Sequence, residues 1–340
     1  MWKCLRLFSG IYAGLFLVIF AALLGRNDLQ QLKMVVGVNE AEWRATNTKN
    51  EFVELPFVIE LKTFTIEEYP SGKPKSFISD ITVYTPNGEK KEAQIKVNKP
   101  FTVSGWKIYQ YSYDKTLGSQ SRYSVFKIVK DPWLPVVYAG FLLIFAGTFY
   151  LLFSRFRFKT LKVRKIAIVF FIAIVLIACL IAGVWFTPLR MRNLLPALQS
   201  IWFIPHVTMY ILAYSLLSVT VIYALFLLIK KSNTEKQWQS MILCDGLVYA
   251  GTAFLTAGIL MGAVWAKDAW GHYWSWDPKE TWAAITWLAF MLYIHFRHFK
   301  PTKIKVALFL LLFSYLLLQI CWVGVKYLPF LQGGSVHTYR

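Results

Sequence analysis

Charged side chains are in short supply. Asp, Glu, Lys and Arg make up 16% of the 340 residues, while hydrophobic residues reach 56%. An ordinary soluble domain is about 25% charged and about 45–50% apolar, so the composition argues against a soluble enzyme and against disorder. Acid is scarcer still: 18 Asp and Glu stand against 37 Lys and Arg, a net charge of +19. Segment 27–132 is nearly balanced, with 15 basic and 13 acidic residues. The excess therefore belongs to the apolar remainder and its short links. That is the pattern of cationic membrane loops, not of a nucleic-acid-binding face. Only four cysteines occur, Cys4, Cys179, Cys244 and Cys321, all in or beside apolar runs. None falls in 27–132, so no disulfide framework is expected, and the lack of C-x-x-C-H means that the chain is not itself a c-type cytochrome. Histidine is limited to five positions, the first of them His206.

Long apolar runs are plentiful. A helix needs about 20 apolar residues to span a bilayer. Seven runs qualify, at 8–25, 133–153, 166–186, 207–229, 241–264, 281–299 and 306–326. The first follows Lys3 and Arg6 and has the look of a signal peptide, but no small-x-small cleavage site follows it, which favours an uncleaved anchor. Basic residues set the orientation. Alternate links, including Arg155 to Lys165, Lys230 to Lys236 and Arg297 to Lys305, hold 15 Lys and Arg with Lys3 and Arg6, while the short segments opposite, segment 27–132 apart, hold seven. The amino terminus is expected in the cytoplasm. Segment 27–132, loops 187–206 and 265–280 and the carboxyl tail are expected outside.

Within 27–132 the pattern is that of strands. Phe57, Ile59 and Leu61 alternate with Val58, Glu60 and Lys62. Phe77 to Tyr84 is β-branched and aromatic, Pro86-Asn87-Gly88 is a turn signal, and Ala93 to Val97 and Trp106 to Tyr113 suit a sheet. The expected fold is an α-helical polytopic membrane protein of about seven transmembrane helices. One outer antiparallel β domain is inserted between helices 1 and 2. The expected parts are an anchor helix 1–26, the β domain 27–132, a second helix with a basic cytoplasmic loop 133–165, and a membrane domain 166–340 with a tryptophan-rich loop 265–282.

The most informative stretch runs from Trp270 to Trp282. Trp270, Trp274, Trp276 and Trp282 fall within thirteen residues. Tryptophan collects at membrane interfaces, so an aromatic belt is one explanation. A belt scatters its rings, however, and this cluster puts several flat faces and indole N–H donors at one place, a platform for a large planar ligand such as a porphyrin. His206 and His337 lie on the same side as this loop in the expected topology. They are either two unrelated interfacial histidines or the axial pair of a six-coordinate haem iron. His295 lies about 15 residues into the sixth run, where a polar residue is a functional candidate by default. The competing reading makes it an interfacial histidine beside Arg297 and His298. His272 has a supporting role at most. Asp277 and Glu280 are read as helix caps, with Asp277 before Pro278 at the first turn, not as an acid/base pair. Asp245, near the end of the fifth run, is a membrane acid or a residue reaching the interface.

Trp270-Gly271-His272-Tyr273-Trp274-Ser275-Trp276-Asp277-Pro278-Lys279-Glu280, followed by Tyr293-Ile294-His295-Phe296-Arg297, resembles the tryptophan-rich signature of the haem-handling proteins of cytochrome c maturation. The arrangement is similar to the CcsA/ResC type of the System II cytochrome c synthetases, over roughly 190–340. Residues 1–153 resemble the carboxyl-terminal half of the partner CcsB/ResB through Leu55-Pro56-Phe57, Glu67-Glu68-Tyr69-Pro70, Val97-Asn98-Lys99-Pro100 and Tyr109-Gln110. The chain thus resembles a shortened fusion of the two. The resemblance implies that His206 and His337 ligate haem iron on the outer face. It implies that Trp270, Trp274, Trp276, Trp282 and Asp277 belong to the segment that holds haem b, a substrate and not a resident cofactor. It also implies that His295 is one of two histidines receiving haem within the membrane. The sequence departs from the family here, because no histidine precedes His206. A second chain supplying the missing helices and the inner histidine is one way to complete that site.

The function so implied is c-type cytochrome biogenesis in a bacterial cytoplasmic membrane. Haem is brought to the outer face and presented for thioether attachment to the C-x-x-C-H cysteines of apocytochrome c, with the chain a component of a haem-lyase-type synthetase. A haem exporter without attachment activity, and a non-enzymatic apocytochrome docking factor, are the alternatives. No nucleic-acid partner is expected.

Overall fold

The computed structural model describes residues 2–155, 193–229 and 234–324, with the single residues 172, 176 and 327. The third apolar run (166–186), most of the basic link before it, and the tail with His337 lie outside the described residues.

The chain opens with helix α1 (Trp2–Leu24), whose apolar stretch Phe8–Leu24 is shorter than a full span. Eight strands follow: β1 (Gln30–Gly37), β2 (Ala41–Thr46), β3 (Phe52–Glu68), β4 (Pro74–Tyr84), β5 (Lys90–Lys96), β6 (Phe101–Val103), β7 (Trp106–Tyr113) and β8 (Tyr123–Lys130). They form one antiparallel sheet in the order β5-β4-β3-β2-β1-β8-β7-β6. The strand alternation read from the sequence holds: Phe57, Ile59 and Leu61 point inward and are buried, while Val58, Glu60 and Lys62 alternate away. Thr85 and Gly88 close the expected turn, with Gly88 at φ 78°. Strands β5 and β6 end the sheet on either side yet are consecutive in the chain, and the Lys99 amide bonds the Lys96 carbonyl between them. The sheet therefore curls around a core of Met34, Ile59, Val83, Ile95, Ile108 and Phe126. Inside it, Ser79 donates to Gln110 Oε1 at 2.7 Å and the Gln110 amide donates to Ser124 at 2.8 Å, so the buried polar groups satisfy one another.

Among the described residues five more long helices follow: α2 (Leu134–Arg155), α3 (Phe203–Ile229), α4 (Thr234–Trp270), α5 (Pro278–Phe299) and α6 (Ile304–Gln319), the last continued by a π turn, Ile320–Gly324. Among the described residues four segments are long and apolar enough to cross a membrane: Leu134–Ser154, Phe203–Ile229, Ser240–Trp270 and Ile304–Gly324. The described residues alone do not make up the expected seven. The third run is not described, α1 is apolar over too short a stretch, and Lys279, Glu280 and Arg297 dilute α5. The chain is a multi-pass membrane protein with one antiparallel sheet between its first two helices.

Glycine lets α1 and α2 touch backbone to backbone. A β-carbon on Gly14 would lie 2.6 Å from the Gly140 carbonyl oxygen, and one on Gly147 would lie 2.7 Å from the Ile11 nitrogen. Small residues at such crossings are the usual means of helix association in lipid.

Candidate functional site

His206 sits on the first turn of α3, three residues after Phe203. Its ring Nδ1 lies 2.8 Å from the main-chain oxygen of Gly258 on α4. A carbonyl oxygen can only accept, so Nδ1 carries the proton and Nε2 carries the lone pair, the form a metal requires. The ring fits because α4 offers glycine there: a β-carbon on Gly262 would lie 2.6 Å from His206 Cε1. Gly258 does the same for Tyr210, one turn along α3. His206, Tyr210 and Tyr214 share a helix face at i, i+4 and i+8. Together with Trp265, Trp274 and Lys279 they line a cavity of 340 Å³, within the range of small-molecule sites.

The tryptophan loop is shorter than its sequence suggested. Helix α4 runs on to Trp270 and α5 begins at Pro278, leaving 271–277 between them. Trp265 and Trp270 are therefore helical, with ring centroids 5.5 Å apart. Trp265 lies 5.7 Å from His206, and Trp270 lies 6.5 Å from His272. Asp277 is the N-cap of α5, accepting from the Glu280 amide at 2.8 Å, and Glu280 reaches back to the Ser275 amide at 2.7 Å. The two acids act as caps, as the sequence indicated. Just before Asp277, Trp276 takes a left-handed backbone (φ 60°) and is 73% exposed. Such a conformation costs a non-glycine residue of order 1–3 kcal/mol, and the double cap holds it in place. Trp274 Nε1 and His272 Nδ1 are buried without a hydrogen-bond partner among the described residues. Burial, reinforced by the charges of Lys127 and Lys267, pushes the His272 imidazolium down to about 4.

The sheet fixes the base of this loop. Gly271 (φ 80°) packs so closely on β7 and β8 that a β-carbon would lie 3.1 Å from both Tyr109 and Val129. Lys127 on β8 donates to the Trp270 carbonyl at 2.9 Å, and burial pushes its ammonium down to about 8. Lys267, 1% exposed, pairs with Asp131 at 2.6 Å. Asn98 donates to the Pro196 and Ala197 carbonyls, and the Trp265 indole donates to that of Ala197, so the approach to His206 is held from the same side.

The structure thus gathers His206, Trp274 and the capped loop, with Asp277 at its end. Trp270 joins by ring contact and Trp276 stands exposed. Trp282 is half-buried on the first turn of α5 and lines neither the 340 Å³ cavity nor the larger one beside it. His295 lies apart, near the other end of α5. Its Nδ1 bonds the Met291 carbonyl at 2.6 Å, Phe8 stacks on its ring at 4.2 Å, and the Tyr12 hydroxyl meets Nε2. Close by, Asp245 does not simply reach the interface. It pairs with buried Arg297 at 2.7 Å and accepts from Tyr293 at 2.8 Å. His337 lies outside the described residues. Sequence reasoning missed Trp265, Tyr210, Tyr214 and Lys279. The i, i+4 spacing from His206 was the available signal.

Residues 133–332 match the family described as Cytochrome C assembly protein, and residues 11–121 match the ResB-like family. The chain belongs to the cytochrome c assembly protein family. Its relatives include proteins named cytochrome c biogenesis protein CcsA. That of Chlamydomonas reinhardtii is 42% identical over 154 residues, 43% of this chain and 42% of the relative. That of Heterosigma akashiwo is 34% identical over 189 residues, 43% and 58% of the two chains. That of Mesostigma viride is 36% identical over 190 residues, 46% and 61%. The chain spans about half the length of these relatives. A ResB-like amino-terminal part joined to a cytochrome c assembly part is the fusion expected from the sequence, and the junction between the two matches falls at the sheet's end, before α2.

Proposed function

We propose that the chain serves c-type cytochrome biogenesis, binding haem b as a substrate and holding it at the outer face of a bacterial cytoplasmic membrane. Haem rests in the 340 Å³ cavity. His206 offers Nε2 to the iron, Trp274 and Trp265 flank the macrocycle, and His337 supplies the second axial bond. Lys279, at the cavity wall, sits where a propionate would want a cation. The loop 271–277, with Trp276 exposed, presents the haem edge to an apocytochrome, whose C-x-x-C-H thiols add across the vinyl groups. The chain contributes orientation and iron ligation, and the porphyrin supplies the vinyl chemistry. The amino terminus is cytoplasmic and the sheet lies outside.

One observation carries this reading: the His206 tautomer is fixed by Gly258 inside a tryptophan-walled cavity. The names of the relatives support it. The test is a spectrum of protein purified from haem-replete cells. A bis-histidine Soret band that falls at least tenfold in His206→Ala and His337→Ala is the expected result. A colourless protein, or a band indifferent to both changes, overturns the proposal.

A further inference from the structure

Three of the four stretches that carry the likeness to ResB meet the other half of the chain. Tyr69 donates to the Leu194 carbonyl at 3.2 Å, Asn98 donates to the Pro196 and Ala197 carbonyls at 2.9 and 3.0 Å, and Tyr109 packs on Gly271. Asn98 differs from the other two in what its acceptor meets next. The Ala197 oxygen takes a second hydrogen bond, at 3.0 Å, from the indole of Trp265. Trp265 stands 5.7 Å from His206, and it walls the His206 cavity together with Leu198, the residue after Ala197.

Local chemistry commits Asn98 to this contact. It sits in the link between β5 and β6 with a left-handed backbone (φ 66°), which asparagine and glycine tolerate better than other residues. Both neighbours are carbonyls and can only accept, so the amide nitrogen faces them. Its Oδ1 is buried without a hydrogen-bond partner among the described residues. The side chain thus leaves its own oxygen unpaired to hold Pro196 and Ala197. The Ala197 oxygen has two lone pairs, and both are used, one by the sheet and one by α4. A single main-chain atom ties the ResB-like part to the ring beside the proposed iron ligand.

We propose that Asn98 is a positioning residue for haem: through the Ala197 carbonyl, the sheet sets the place of Trp265 and Leu198 and with it the fit of haem against His206. This rests on the haem-binding function proposed above. Asn98 is not among the residues lining the cavity and acts only through the groups it holds. Without it the Pro196–Leu198 turn loses two ties, and the Trp265 indole is left with an acceptor that is no longer fixed. His206 Nδ1 keeps its own bond to Gly258, so haem binding weakens and is not abolished.

The experiment uses the full-length protein purified in detergent from haem-replete cells, with two readouts: haem per folded protein, and the low-spin fraction of the bound iron. Asn98→Gly keeps the left-handed turn and removes both bonds. Asn98→Asp keeps the turn and the shape but sets a carboxylate against two carbonyls. Asn98→Gly is expected to lower haem content about fivefold, the factor that one hydrogen bond of ordinary strength carries. Part of the remaining iron should turn high-spin, because an axial bond is lost. Asn98→Asp should lose more haem in the same way. Tyr69→Phe cuts a bond in the same interface whose acceptor, the Leu194 carbonyl, is shared with Gln199 and not with Trp265, and should leave both readouts as in the wild type. A haem-bearing wild type with either Asn98 variant unchanged, or with Tyr69→Phe altered equally, overturns the positioning role alone. A haem-free wild type overturns the function on which it rests.

Discussion

The imidazole of His206 and the main-chain oxygen of Gly258 lie 2.8 Å apart, and Gly262, one turn on, leaves the space that the ring fills. Ring orientation therefore depends on a residue that has no side chain. Gly262→Ala places a methyl group 2.6 Å from Cε1. Such overpacking costs about 1–3 kcal/mol. The expected outcome is a haem band reduced about tenfold with membrane insertion intact, read by the Soret absorbance per milligram of purified protein.

The Lys267–Asp131 pair joins α4 to the sheet and is almost wholly buried. Removing one partner of such a pair strands a charge, at about 3–5 kcal/mol, whereas replacing both with apolar groups is close to neutral. Lys267→Met should lower the thermal unfolding midpoint of the purified protein sharply. The double change Lys267→Met with Asp131→Leu should recover most of the loss. Equal damage in the single and double variants would contradict the pairing.

His272 gives the site a pH signature. Burial holds its folded pKa at about 4, against about 6.5 in an unfolded chain. Between these values the unfolded state binds the additional proton, so stability declines as pH falls from 6.5 towards 4 and is unaffected above that window. Unfolding measured in detergent across this range should show a slope that His272→Phe flattens. A slope unchanged in the variant would place the titration elsewhere.

Asp277 caps α5 through the Glu280 amide. Asp277→Ala should cost about 1 kcal/mol, which is about a fivefold rise in local opening. Hydrogen exchange over 271–280 reads it directly, and the effect should be confined to the loop and the first turn.

Local chemistry was legible in the sequence. Strand alternation at 57–62, the turn at Gly88 and the cap at Asp277 each depend on neighbours within a few residues, and each was found where expected. Long-range partners were not legible. Lys267 and Asp268 broke the apolar run, so helix α4 seemed to stop at 264. It continues to Trp270, where Asp131, the residue after β8, meets the Lys267 charge. Asp245 and Arg297 looked interfacial for the same reason, since each is read alone as an exposed charge. The Tyr12 partner of His295 is 283 positions away in the chain. Of the candidate site, the cluster from Trp270 to Asp277 was plain from composition. The wall of α3 was hidden because Tyr210 and Tyr214 look like ordinary residues of an apolar helix.

The two buried ion pairs also mark a length. Asp245 and Lys267 stand on the same helix, and the residues between them carry no Asp, Glu, Lys or Arg. At about 1.5 Å per residue those 22 steps measure about 33 Å, close to the roughly 30 Å of hydrocarbon in a bilayer. Helix α4 is in effect a graduated post, notched once at each water boundary. His206 meets it at Gly258 and Gly262, in the upper half of the post, and the loop begins just above the upper notch, so lipid depth is set for the site by a single rigid rod.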